Sequence, residues 1–146
     1  MAQYKKVLLV DDDEDDRAFF LESMKSIDQN VICVSAQNGR EALQTLLADD
    51  QKPDIIFLDL NMPLKSGLDC LKEIRAHPHW KELSVAIYST SSSEEDIENT
   101  FVQGANVYIK KPHEFNRLVK VLSEVIKINW QYHTSGLNKD NFVMRI

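Results

Sequence analysis

The sequence predicts an α/β protein, an open doubly wound sheet of five parallel strands with helices on both faces. Three observations carry this expectation. Short apolar runs, rich in β-branched residues, recur along the chain. A segment of helical periodicity follows each run, so strand and helix alternate strictly, as right-handed βαβ units require. Acids, a hydroxyl and a lysine stand directly after the runs, at the strand ends where sheets of this class bind ligands.

The first run is "KVLLV" (6–10), closed by acids, after which Phe20, Leu21, Met24 and Ile27 share a helical face. The second is "VICVS" (31–35). Ala42, Leu43, Leu46 and Leu47 form the next face, behind Gly39. The third is "DIIFLD" (54–59), followed beyond Gly67 by Leu68, Leu71 and Ile74. The fourth is "SVAIYS" (84–89). Ser92 with Glu95, or Ser93 with Asp96, then has capping-box spacing, Ile97, Phe101 and Val102 follow, and Gly104 suits a helix stop. The fifth is "NVYIK" (106–110), and Phe115, Leu118, Val119, Leu122, Val125 and Ile126 make the cleanest stripe of the chain. Apolar runs without alternation suit strands covered on both faces.

At 146 residues the chain suits one domain. The balance of 17 basic against 23 acidic residues, net −6, offers no basic stripe for nucleic acid. No apolar run approaches a membrane span and no signal-peptide pattern opens the sequence, so no membrane partner and a cytoplasmic location are expected. Cys33 and Cys70 make no disulfide framework and read as small packing residues. His77, His79, His113 and His133 show no ligand spacing and read as surface residues, and Trp80 reads as packing.

The stretch "LLVDDDEDD" (8–16) needs an explanation, because carboxylates crowded at the end of a buried strand repel one another. Asp13 reads as a helix N-cap, and Glu14, Asp15 and Asp16 as first-turn residues favoured by the helix dipole and water. Two aspartates remain for a site, though strand alternation does not settle which two of the leading three. With Asp59 and an oxygen near Asn61 they form an all-oxygen set. Such a set suits Mg²⁺, which would offset the repulsion. A lysine opposite the acids calls for a second anion, and a phosphoryl group matches a metal, an ammonium and a hydroxyl. A protein-bound phosphate needs a carboxylate nucleophile. Asp59, at the end of a central strand with no neighbouring acid in that strand, is the expected one.

The motifs "VLLVDDD", "IIFLDLNMPLKSGLD", "VAIYST" and "VYIKKP", in this order and spacing, resemble the bacterial response-regulator receiver domain, the phosphoacceptor half of two-component signalling. The resemblance covers about residues 4 to 128. It implies a flavodoxin-like (βα)5 fold with strand order 2-1-3-4-5, a receiver domain over 1–132 and a tail over 133–146, either an arm or disordered. It also implies a non-enzyme that assists its own phosphorylation and dephosphorylation. By resemblance Asp59 is the phosphoacceptor and a metal ligand, Asp12 a direct ligand, Asp11 a ligand through water, and Asn61 a ligand through its backbone carbonyl. Ser89 is the switch hydroxyl, Lys111 the phosphate-binding lysine, and Tyr108 the aromatic switch that turns into space Ser89 vacates. Pro112 follows, where the family usually has a cis peptide. Thr90 is expected to face away from the site, beside the hydroxyl that matters, and Lys110 to face solvent. The implied cofactor is Mg²⁺ and the implied partner a histidine kinase or phosphotransfer protein. With no output domain following, a stand-alone regulator is expected.

Two other readings compete. A haloacid-dehalogenase-type phosphatase would use Asp11 as nucleophile and Asp13 as acid–base partner, but it would want threonine or valine where Asp15 stands. A flavodoxin-like flavin binder would want a hydroxyl- and glycine-rich loop where the acids stand. Beyond the stripe of the last helix, Val121, Ile128 and Tyr132 fall on one flank. They suggest a homodimer through the face of the fourth helix, fifth strand and fifth helix, with Phe142, Val143, Met144 and Ile146 as a possible arm.

Overall fold

The apolar runs pair edge to edge as parallel strands, and each intervening segment crosses back over one sheet face. In the computed structural model, which describes residues 4–128 and 142–144, the order is β1 (Lys6–Val10), α1 (Glu14–Ile27), β2 (Ile32–Ala36), α2 (Gly39–Ala48), β3 (Ile55–Leu58), α3 (Gly67–Ala76), β4 (Ser84–Ser89), α4 (Glu94–Val102), β5 (Val107–Lys110) and α5 (Phe115–Ile126). The strands lie in the order β2-β1-β3-β4-β5, all parallel. Winding reverses between β1 and β3, so the acids after β1 and Asp59 after β3 come to the same edge.

Strand alternation divides the core into two layers. Leu8, Val10, Ile56, Leu58, Val85, Ile87 and Tyr108 face one way, onto Ala42, Leu46, Leu71 and Ile74 of α2 and α3. Val7, Leu9, Ile55, Phe57, Tyr88 and Ile109 face the other, onto Phe20 and Met24 of α1 and Leu118, Leu122 and Val125 of α5. The central strands are buried on both faces, but β2 is not, since it is an edge strand: Ile32 is 53% exposed. Leu47 and Val102, expected on core-facing stripes, also stand in solvent. Ala42 and Leu46, and Ile97 and Phe101, carry the packing of α2 and α4 instead. Trp80 is buried with its ring stacked on His77.

Four helices begin with a side-chain cap: Asp13, Asn38, Ser66 and Ser93 each accept from the backbone N–H three residues on. Gly104, with φ +93°, follows the end of α4 in the left-handed conformation that glycine tolerates. Arg75, near the end of α3, fastens that exit. Its guanidinium donates to the carbonyls of Gly104, Lys81 and Leu83 and to Asn106 Oδ1, which also accepts from Val85 N.

Two expectations change. Val121 is buried in the layer beneath α5, so it cannot belong to an exposed strip. Ile128 packs partly on the same layer, and Tyr132 lies outside the described residues, as do His133 and Ile146. The described residues contain no cis peptide bond, so the Lys111–Pro112 bond is trans. The C-terminal residues 142–144 lie against β5: Val143 forms a parallel bridge with Tyr108, and Phe142 is fully buried.

Candidate functional site

Each functional side chain follows directly from a strand end. Asp11 continues β1, its N–H bonded to Ala36 O, and Asp59 continues β3, its N–H bonded to Val10 O at 2.9 Å. Lys111 continues β5, its N–H on Ser89 O at 2.8 Å. The pairing that builds the sheet thus runs one residue past it and fixes the site backbone. Gly67 closes the approach from α3: a Cβ there would stand 2.0 Å from Asp59 O, and its N–H donates to Leu60 O. Only glycine lets the start of α3 pack this closely on the Asp59 peptide.

Asp11, Asp12 and Asp59 form a triad whose carboxylate oxygens lie within 4.8 Å of one another. Asp11 and Asp59 are buried and Asp12 exposed, which gives the triad one open side. Lys111 Nζ reaches Asp11 Oδ2 at 2.7 Å, Asp16 Oδ2 at 2.9 Å and Asp59 Oδ2 at 3.5 Å. Asp11 Oδ2 is buried with no well-directed hydrogen bond, and the close ion pair with Lys111 is what compensates it. Asp11 Oδ1 accepts from Asp13 N, Asp59 Oδ1 from Leu60 N, and Arg17 holds Asp11 O.

Burial raises these carboxyls. It pushes Asp59 up to about 6, with Lys111 opposing and Asp11 adding to the rise. Asp11 is raised for the same first reason, the adjacent Lys111 ammonium and the bond from Asp13 N opposing. Burial disfavours the Lys111 ammonium, yet its bonds to Asp11 and Asp16 and the charge of Asp59 outweigh that and hold it above the ordinary lysine range. Beneath lies a floor of edge-to-face rings, Phe20, Phe57 and Tyr88, with Lys111 Nζ 5.3 Å from the Tyr88 ring centre.

Ser89 ends β4 fully buried, its hydroxyl oxygen accepting from Ser91 N at 3.2 Å. Tyr108 is already turned inward, 1% exposed, with its phenol donating to Ser91 O at 2.8 Å. The expectation had the ring entering a space that Ser89 vacates later; here Phe142 covers it from outside. Asn61 is exposed in the loop after β3, and Thr90 and Lys110 face solvent as expected.

Three features escaped the sequence reading. By sequence Asp16 reads as a solvated first-turn residue, but a helical side chain leans toward its own N-terminus, and from the first turn of α1 that direction is the strand edge. The third helical residue would ordinarily bond back to the cap N–H. Here Asp11 takes the Asp13 N–H, which leaves the Asp16 carboxylate for Lys111. The Gly67 contact and the return of residues 142–144 depend on distant chain segments and have no local signal.

This is an all-oxygen acid cluster with a lysine and a hydroxyl, set at the switch point of a doubly wound sheet. Asp13 is occupied as the cap of α1, which removes the acid–base partner a dehalogenase-type phosphatase would need, and the acidic loop does not suit a flavin phosphate. The model of the response regulator receiver domain matches residues 7–123, and the chain belongs to that family, whose members are phosphoacceptor signalling proteins.

Among its relatives, Rcp1 of Synechocystis is 30% identical over 83% of this chain and 86% of its own length. CheY of Thermotoga maritima is 32% identical over 84% and 98%. The C4-dicarboxylate regulator DctR of Bacillus subtilis is 32% identical over 82% of this chain, which spans only 51% of it. The phosphorylated cyanobacterial phytochrome response regulator RcpA superposes with a TM-score of 0.78 at 31% identity, covering 84% of this chain and 91% of that one. The Mn²⁺-bound form of Rcp1 gives 0.74 at 28% identity, over 83% and 91%. No described helix is long and apolar enough to cross a membrane.

Proposed function

We propose that this chain accepts a phosphoryl group on Asp59 from the phosphohistidine of a histidine kinase or phosphotransfer protein. The observation that carries the reading is the convergence of Asp11, Asp12 and Lys111 on Asp59, whose carboxylate is buried and paired to the ammonium at 3.5 Å. An Asp59 oxygen forms the new O–P bond while the P–N bond to the donor imidazole breaks. The imidazole leaves with the bonding pair and takes up a proton.

The donor set fits Mg²⁺: hard oxygens only, one of them buried without a directed hydrogen bond, and an open side at Asp12. Asp12 and Asp59 would ligate it directly, Asp11 through water and Asn61 through its carbonyl. When bound, the ion supplies charge neutralisation for the carboxylates and the transferring group. Lys111 neutralises a further phosphoryl oxygen, and the Ser89 hydroxyl donates to another while its oxygen can still accept from Ser91 N.

The test is acid-labile labelling by a small acyl phosphate with Mg²⁺. Wild type labels and Asp59→Asn, still folded, does not. Undiminished labelling of Asp59→Asn removes the assignment.

A further inference from the structure

β5 is an edge strand, and an unpaired edge is a ready template for another strand. The segment 142–144 takes that position. Val143 bridges Tyr108 in parallel, and Met144 N–H donates to Tyr108 O at 2.9 Å. The Phe142 ring is 0% exposed, edge-on to Phe101 of α4 at 5.2 Å and to Tyr108 at 6.1 Å. The Tyr108 phenol is held by Ser91 O, and Ser91 N is held by the Ser89 hydroxyl. An unbroken line of contacts therefore joins Phe142 to the Ser89 hydroxyl at the end of β4.

The geometry is exclusive. Tyr108 cannot swing out to solvent without entering the volume that Phe142 fills, because the two rings are in contact and both are buried. The inward Tyr108 ring in turn forms one wall of the Phe142 site. Drawing the Ser89 hydroxyl toward a phosphoryl group clears room on the inner side of the same ring.

We infer that residues 142–144 are an intramolecular strap that selects the inward Tyr108 and is coupled positively to phosphorylation of Asp59. The strap raises the affinity of the site for the phosphoryl group, and the phosphoryl group tightens the strap by the same factor, since such linkage is reciprocal. The inference rests on the reading of Asp59 given above.

The experiment uses the full chain with beryllofluoride and Mg²⁺ as the phosphoryl stand-in. Phe142→Ala and, separately, Met144→Pro, which removes the N–H bonded to Tyr108, should each weaken beryllofluoride binding by about fivefold or more. In wild type, saturation with beryllofluoride should slow amide exchange at Met144 by a similar factor. In a Tyr108→Ala background, Phe142→Ala should have no further effect. Circular dichroism establishes that each variant is folded.

Unchanged or tighter binding by both strap variants, with wild type binding normally, overturns the inference and leaves the Asp59 reading intact. Binding that is indifferent to Asp59→Asn overturns the Asp59 reading and the coupling with it. Met144 protection that vanishes on dilution shows the strap to come from a second copy and overturns its intramolecular character.

Discussion

Lys111 Nζ stands 2.9 Å from Asp16 Oδ2 and 3.5 Å from Asp59 Oδ2. The ammonium therefore rests closer to an acid on a helix than to the acid it would serve. Engaging a phosphoryl group on Asp59 requires it to loosen from Asp16. Asp16→Asn removes that competition and one negative charge that repels an anionic donor. The half-maximal concentration of a small acyl phosphate should fall by roughly fivefold, the scale of a partly exposed charge pair. Asp16→Glu should stay near wild type. Labelling rates measured against donor concentration decide it, and an unaltered half-maximal concentration in Asp16→Asn ends the argument.

The carboxyl of Asp59, pushed up to about 6 by burial, makes a sign prediction for the metal-free protein. Its folded pKa lies above the unfolded value of about 3.9, so the folded state binds the extra proton. The contribution of this carboxyl to stability should fall as pH rises from about 4 to about 6, with its full penalty standing above that window. Asp59→Asn removes the penalty. In chelator it should be more stable than wild type by about 3 kcal/mol at pH 7, and by little at pH 4. Urea unfolding at the two pH values checks this; equal differences at both would count against it.

Gly67 offers a steric test. A methyl group 2.0 Å from Asp59 O cannot be accommodated without moving the backbone. Gly67→Ala should cost about 1–3 kcal/mol, as overpacking does. It should also slow labelling of Asp59, because the displaced peptide carries the acceptor. A variant with wild-type stability and labelling would contradict the contact.

Asp12 is the exposed member of the acidic triad, so its removal need not disturb the core. Mg²⁺ at a hundredfold excess over its dissociation constant should stabilise wild type by about 2.7 kcal/mol. Asp12→Ala should lose most of that gain while keeping its metal-free melting temperature. Thermal melts with and without Mg²⁺ give the answer, and a wild type indifferent to the ion would remove the proposed metal site.

The legibility of this chain follows from how far apart the determinants sit. β1 and β4 have the bounds of their apolar runs because strands sheltered on both faces leave an unbroken hydrophobic record. β2 is shifted and half exposed because an edge strand needs no such record. Asp11, Asp59 and Lys111 could be singled out because a parallel sheet brings every strand's carboxyl end to one side, whatever the details of packing. Asp16 could not be, since its partner lies on the opposite flank of the molecule's sequence, 95 residues away. The burial of Val121 and of Phe142 likewise depends on neighbours that no local periodicity reveals.

The Arg75 clamp has a mechanical meaning. It bolts the exit of α4, through Gly104 and Asn106, to α3 and to the start of β4. The opposite end of α4 begins at Ser93, beside the loop that carries Ser91 and reaches Ser89. A pull exerted at Ser89 would thus act, through Ser91 and its bond to Asp96, on the far end of a lever whose fulcrum is Arg75. Over nine residues, a rod of roughly 14 Å, the displacement would be largest at the acidic first turn, Glu94, Glu95 and Asp96, and smallest toward Gly104. With that geometry the helix would report events at the site by the swing of a charged tip, its other end held by Arg75.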